Sequence, residues 1–355
     1  FFRGFWCVQH WPRTRAFVTS AREAPLPIMD CTEDVLRNMQ IARVFKPSTQ
    51  TDKQMALQCL DFSDDGKRLV TCDDRTIRVY DIEDGCHHKD VPCKKYGVNL
   101  VRFTHHNDHV LLASKNDQDE SIRYLALKEY QFVHYFGGHR DKVESLEMNP
   151  TNDTFLSGSA DGMVRLWDAR THVCQGQLRV NGRAGVAFDP NGIVFAVSSG
   201  QNIVRLYDTR HIDQGPFSTF ANKRNASLDI MYIKFSPDGN FLLCSTNENY
   251  IFLMHSFNGK VVQEYTDHQN TSGALDPGFT ADGKYVASGS EDGSIFIWET
   301  ESGRLVDTKH KEHAGPVGSV RFNPHYLMAA SCCYNLVFWA HPEPEQSPPA
   351  AVRSL

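Results

Sequence analysis

The sequence predicts an all-β chain folded as a seven-bladed β-propeller, and three observations predict it. The first is the stretch Asp153-Thr-Phe-Leu-Ser-Gly-Ser-Ala-Asp-Gly-Met-Val-Arg-Leu-Trp-Asp-Ala-Arg170, two strand-like runs meeting at Asp161-Gly162. Asp-Gly is a strong hairpin signal because glycine accepts φ > 0 without a Cβ clash. Gly138-His139 opens this unit and Trp167-Asp168 closes it, the pattern of one four-stranded blade. The second observation is a ladder of strand ends running into turns: Phe62, Phe103, Met148, Phe188, Phe235, Phe279 and Phe322, stepping by 41, 45, 40, 47, 44 and 43. Each runs into Pro, Asp, Asn or Gly residues. The third is the position of the blade tryptophan: Tyr80, Leu125, Trp167, Tyr207, Met254, Trp298 and Trp339, stepping by 45, 42, 40, 47, 44 and 41. Two ladders of seven with matched steps define seven repeats, and a lone repeat cannot bury both faces of its small sheet.

Taken in order, residues 1–28 are aromatic and arginine-bearing, with no apolar core and small-residue cleavage site of the secretory kind. An over-extended start, with Met29 as initiator, is the expected explanation, and residues 1–39 are expected to be a poorly ordered extension. Gln40–Lys46 alternates like a strand, and Pro47 ends it. The propeller then occupies 40–340. Its last repeat stops soon after Trp339, at a third strand, so the early orphan strand is expected to supply the fourth. The fold expected is a seven-bladed WD-repeat β-propeller closed by an N-terminal strand, without a long exposed sheet edge. Residues 341–355, with four prolines, read as a disordered tail.

Composition limits function. The formal charge is -6; four arginines against one glutamate put residues 1–28 at +3, leaving the remainder at -9. A body that acidic is not a bulk nucleic-acid binder, since such affinity depends on neutralising phosphates. No run approaches a membrane span. The ten cysteines show no CxxC pair and read as reduced, buried thiols of an intracellular protein. There is no G-x-S-x-G, Walker loop, G-x-G-x-x-G or H-E-x-x-H, so a binding scaffold is expected rather than an enzyme, with no cofactor and no metal. His87-His88 and His105-His106 with His109 fall in expected connections, lack zinc-finger spacing and read as solvated loop histidines.

Several residues have expected roles. His139, Ser157, Asp161 and Trp167 form a hydrogen-bonded structural tetrad, because a buried indole N–H needs an acceptor. Ser288, Asp292 and Trp298 match in the sixth repeat, with His268 a looser candidate; the seventh keeps His313 and Trp339. Arg78, Arg123, Arg165 and Arg205 recur in third strands, where stems pack between blades and heads find carboxylates.

Finer detail carries a resemblance. Lys94-Lys95-Tyr96-Gly97-Val98, Phe103-Thr104-His105, Ser121-Ile-Arg-Tyr-Leu125, Tyr135-Phe136-x-Gly138-His139, Cys174-Gln-Gly176, Asp213-x-Gly215-Pro216-Phe217 and Asn335-x-x-Phe338-Trp339 together resemble the WD-repeat subunit of the COMPASS histone methyltransferase, the Swd-two family. The resemblance runs from about Gln40 to Trp339. It implies a non-catalytic nuclear adaptor, monomeric within a hetero-complex that methylates a lysine of the histone H3 tail. It further implies links to phosphatase and RNA 3′-end processing subunits, and to the phosphorylated C-terminal domain of RNA polymerase II. A phosphorylated tail needs cations on one face, and Lys94, Lys95, Arg140 and Lys142 are the candidates. A rival expectation rests on Asp168-Ala-Arg170 and Asp208-Thr-Arg210, repeat ends similar to those of propellers that dock onto cullin-type ubiquitin ligases as substrate receptors.

Overall fold

The computed structural model describes residues 31–46, 56–57, 59–115, 119–171, 173–200, 202–222, 228–271, 273 and 275–342. Residues 1–30, Pro47 and 343–355, on which the expected leader, strand terminator and most of the tail fall, lie outside the described residues. Among these residues are seven four-stranded antiparallel sheets. Blades one to six span 59–92, 100–136, 143–179, 185–221, 230–265 and 278–309 as simple meanders. Blade seven takes three strands from 319–340 and its outermost strand from Gln40–Phe45. That strand pairs antiparallel with Leu336–Ala340, Gln40 opposite Ala340 and Phe45 opposite Leu336, with a bulge between Ile41 and Arg43. The ring is therefore closed by joining the two ends of the propeller, as the orphan strand suggested.

One expectation is corrected here. The last part of the supposed poorly ordered extension is a helix, Glu33–Asn38. Thr32 caps it by accepting the Val35 N–H, acidic Glu33 and Asp34 sit in its first turn, and Arg37 sits in its last. Leu36, Cys31 and Met39 are buried against Tyr285, Ile297, Val320 and Trp339 of blades six and seven. Asp282 accepts the Cys31 N–H at 2.9 Å, and Arg304 grips Glu33 through both carboxylate oxygens at 3.2 and 2.6 Å. Burying each such apolar side chain contributes roughly 1.5–3 kcal/mol, enough to hold a six-residue helix that would not form alone. Charge and shortness hid this helix from the sequence reading.

Meander topology sorts the connections onto two faces. Loops that join blades, and the turns between second and third strands, lie on one face, here called upper. Turns between first and second strands, and between third and fourth, lie on the lower face. Gly162, at φ +74°, makes the upper turn of blade three, where an added Cβ would press on the Val180 carbonyl at 3.0 Å.

Candidate functional site

Blade three shows what the tetrad residues do. Trp167 Nε1–H donates to Ser157 Oγ at 2.8 Å, and His139 Nε2 lies 2.7 Å from the same oxygen. His139 Nδ1 stands 3.2 Å from Asp161, whose carboxylate also accepts the N–H groups of Arg140 and Met163 and so fixes the turn. Arg165 joins this group, its Nη1 2.7 Å from His139 Nδ1. Burial, and then the Arg165 charge, hold the imidazole below its ordinary pKa. Every member is satisfied, which suits a structural network rather than a reactive one.

The other blades depart from this pattern. In blade seven Trp339 donates to Ser331 Oγ at 2.7 Å and His313 Nε2 lies 2.6 Å from it, while Cys333 Sγ, 3.1 Å from Nδ1, stands where blade three has aspartate. Ser331 and Cys333 were missed because the shortened turn moved them out of register. In blade six the expected tetrad is not assembled. Trp298 donates to Asp267 at 2.8 Å, not to Ser288, which donates to the Gly289 carbonyl. Asp292 holds Ser294 through its backbone and hydroxyl, each at 3.0 Å. His268 is buried and, among the described residues, neither of its ring nitrogens has a partner.

The arginine stripe is mostly carboxylate-bound. Arg78 pairs with Asp73 at 2.6 Å, Arg123 with Asp119 and Arg165 with Asp161, but Arg205 takes the Ser199 hydroxyl instead, because no carboxylate stands at that turn. Arg123 also stacks its guanidinium 3.7 Å over the Tyr96 ring. Lys94 and Lys95 leave the outer strand of blade one, and Arg140 and Lys142 leave that of blade two; all four are exposed on the upper face. Lys95 leans over Tyr96 at 4.8 Å.

The two Asp-x-Arg ends, alike in sequence, differ on the lower face. Arg170 reaches back to Asp168 with Nε and Nη2, each at 3.2 Å, and lies 3.8 Å from Asp153. Asp208 accepts the Arg210 backbone N–H at 2.8 Å but gives its other oxygen to His211 at 3.2 Å. The Arg210 guanidinium is left without an ion pair among the described residues.

Sequence comparisons bear on the whole propeller. A model of the Nucleolar protein 10-like N-terminal domain matches residues 42–275, and a WD domain G-beta repeat model matches 259–299. WD repeat-containing protein 82 of Drosophila melanogaster is 40% identical over 309 residues, covering 86% of this chain and 96% of that protein. The chain belongs to the WD-repeat family. Other relatives are Protein ANTHESIS POMOTING FACTOR 1 of Arabidopsis thaliana, 33% identical over 329 residues (92% of this chain, 98% of that one), and COMPASS component SWD2 of Saccharomyces cerevisiae, 30% identical over 298 residues (80% and 90%).

This WD-repeat propeller also holds a charge lattice that sequence reasoning missed. The residue just before each rung of the aromatic ladder is Asp61, Arg102, Glu147, Ala187, Lys234, Gly278 and Arg321. The innermost strands bring the charged five around the axis, and Asp276 completes the set, pairing with Lys234 and lying 3.4 Å from Arg321. Arg102 bonds the Leu146 and Leu60 carbonyls of both neighbouring blades at 3.1 and 3.4 Å. Burial brings Lys234 down to about 8; for Asp276 burial acts upward, but Lys234, Arg321 and Arg102 outweigh it and hold the carboxyl at about 2. The alternating signs were readable at a fixed ladder position, but only ring closure says that they face one another.

Two smaller expectations are corrected. His87 and His88 lie within a strand, Cys86–Pro92, and His109 opens another, His109–Ala113. His105 is not a solvated loop residue: its ring spans three blades, from Asp64 at 2.6 Å to the Asn149 carbonyl at 2.9 Å. No group of three or more metal-ligating side chains occurs among the described residues. Nine described cysteines are free thiols, but Cys86 and Cys174 are exposed rather than buried, since they sit on outermost strands.

Proposed function

We propose that this chain is a non-catalytic nuclear adaptor of a COMPASS-type histone H3 lysine methyltransferase complex. The observation that carries the reading is the alignment with COMPASS component SWD2 over 90% of that protein, which spans the propeller rather than one generic repeat. A scaffold reading also suits a molecule whose buried histidines of blades three and seven are engaged in structural relays. We further assign the upper-face cations Lys94, Lys95, Arg140 and Lys142, carried by two successive inter-blade loops, to binding the phosphorylated C-terminal domain of RNA polymerase II. Phosphatase and 3′-end processing subunits are the other partners proposed.

Affinity purification of the full chain tests the complex: methyltransferase subunits should co-purify in near-stoichiometric amounts, and recovery of a cullin and its adaptor instead would replace this reading with the ligase one. Reversing the four cations together should abolish binding to a phosphorylated polymerase peptide in fluorescence anisotropy. Unchanged affinity would remove that site from the proposal and leave the adaptor reading standing.

A further inference from the structure

On the lower face, between blades three and four, lies a cleft of about 650 Å³. Its apolar lining is Leu166, Ile193 and Ile212. Ile212 belongs to a 3₁₀ turn, Ile212–Gln214, inserted where the other blades have tight turns, and it packs over Gly176 of the outer strand of blade three. A Cβ at position 176 would collide with the Ile212 side chain, so the glycine is what lets the turn settle there. The rim is mostly amide and hydroxyl, with Gln175, Asn191 and Thr209 among it. Two charged residues line the cleft, Arg210 and Asp213. The Arg210 guanidinium is exposed and has no carboxylate partner among the described residues, and the second Asp208 oxygen lies 3.2 Å from His211 instead. The same face exposes Val173 (56%) and Phe217 (59%), which lie in the two turns that flank the cleft in sequence.

We propose that this cleft binds an extended peptide segment in which an acidic residue neighbours an aliphatic one. The acidic side chain pairs with the planar fork of Arg210, and the aliphatic one packs against Leu166, Ile193 and Ile212. Rim amides and hydroxyls, with Asp213, bond the peptide backbone, which offers both donors and acceptors. The site lies on the face opposite the upper-face cations and does not rest on which complex the chain joins.

The test is selection of a displayed library of random dodecapeptides on the full chain, repeated on Arg210→Glu, Arg210→Lys and Arg170→Glu. Arg170 is the matched control, since it carries the same motif but is closed on Asp168. Enriched peptides should pair Asp or Glu with Leu, Ile or Val. Their affinity should fall about tenfold or more on Arg210→Glu, the scale of one charge-assisted pair, and fall less on Arg210→Lys, which keeps the charge without the fork. Arg170→Glu should change it less than about twofold. Absence of an acidic position among the enriched peptides would overturn the proposal, as would equal binding to Arg210→Glu. Arg210 is exposed and unpaired among the described residues, so its variants should keep the parent melting curve. Arg170→Glu places a second carboxylate beside buried Asp168, so its binding is read at a temperature where its own melting curve shows it folded.

Discussion

Blades three and six carry the same residue types at matching places, yet their tryptophans find different acceptors. In blade three Gly138 precedes the histidine and offers no side chain to compete, and His139 enters its first strand after three residues. Ser157 is then the acceptor within reach, and the ring closes over it at 2.7 Å. In blade six Asp267 precedes the histidine, and nine residues separate His268 from the strand Gly278–Phe279. The carboxylate intercepts the indole N–H at 2.8 Å, and the imidazole is stranded. A carboxylate is the stronger acceptor, so the substitution keeps the tryptophan satisfied while leaving its former relay unpaired. Blade seven also has a carboxylate, Glu312, before its histidine, but only five residues part His313 from the strand Ser319–Phe322, and its relay forms. The longer loop of blade six is what lets the carboxylate reach the indole.

The largest expected effect concerns acid. Burial holds His268 and His313 at about 4, below the 6.5 of an exposed imidazole. Between those values the unfolded chain binds more protons than the folded one, so stability rises with pH there. It is fully present above about 6.5 and lost as pH falls toward 4, by about 3 kcal/mol for each ring. Urea midpoints from pH 7.5 to 4 measure this. His268→Leu should remove its share of the acid slope and leave stability at pH 7.5 unchanged or slightly higher, since no hydrogen bond is lost. A marked loss at pH 7.5 would mean that His268 has a partner after all.

Next in size are the serines. Ser157→Ala removes the hydroxyl that bonds both Trp167 and His139 and should cost about 2–3 kcal/mol, because two buried groups lose their bond. Ser288→Ala removes one hydroxyl bonded to a neighbouring carbonyl and should cost under about 1 kcal/mol. Equal losses in chemical denaturation would erase the distinction between the two blades.

The smallest effect extends the comparison to blade seven. Cys333→Ser replaces a weak sulfur contact to His313 with a hydroxyl and should change stability by less than about 1 kcal/mol. Asp161→Ser in blade three removes the caps on the Arg140 and Met163 N–H groups and the Arg165 pair, and should cost about 1–2 kcal/mol. Thermal melts of the two variants, side by side, rank them.

How much was legible follows from what is local. Seven rungs of Phe or Met before a turn, and an orphan strand at 40–45, announced the blades and their closure, because strand period and turn chemistry are properties of short segments. Helix Glu33–Asn38 was not legible, since its stability comes from blades six and seven, some 250 residues away along the chain. The tetrad of blade three was legible because its loops have the common lengths; that of blade six was not, because the longer loop changed which side chains meet.

The amino-acid sequence by itself therefore determined the number of blades, their order, the turns between strands and the pairing of the two ends. Tertiary structure alone decided which acceptor each buried donor meets, which charges share the central axis, and why Arg170 is closed on Asp168 while Arg210 stands open over a cleft. The physical reason is range: strand period and turn conformation are set within a few residues, whereas hydrogen bonds and ion pairs between blades depend on loop lengths and on what competing groups stand within about 3 Å.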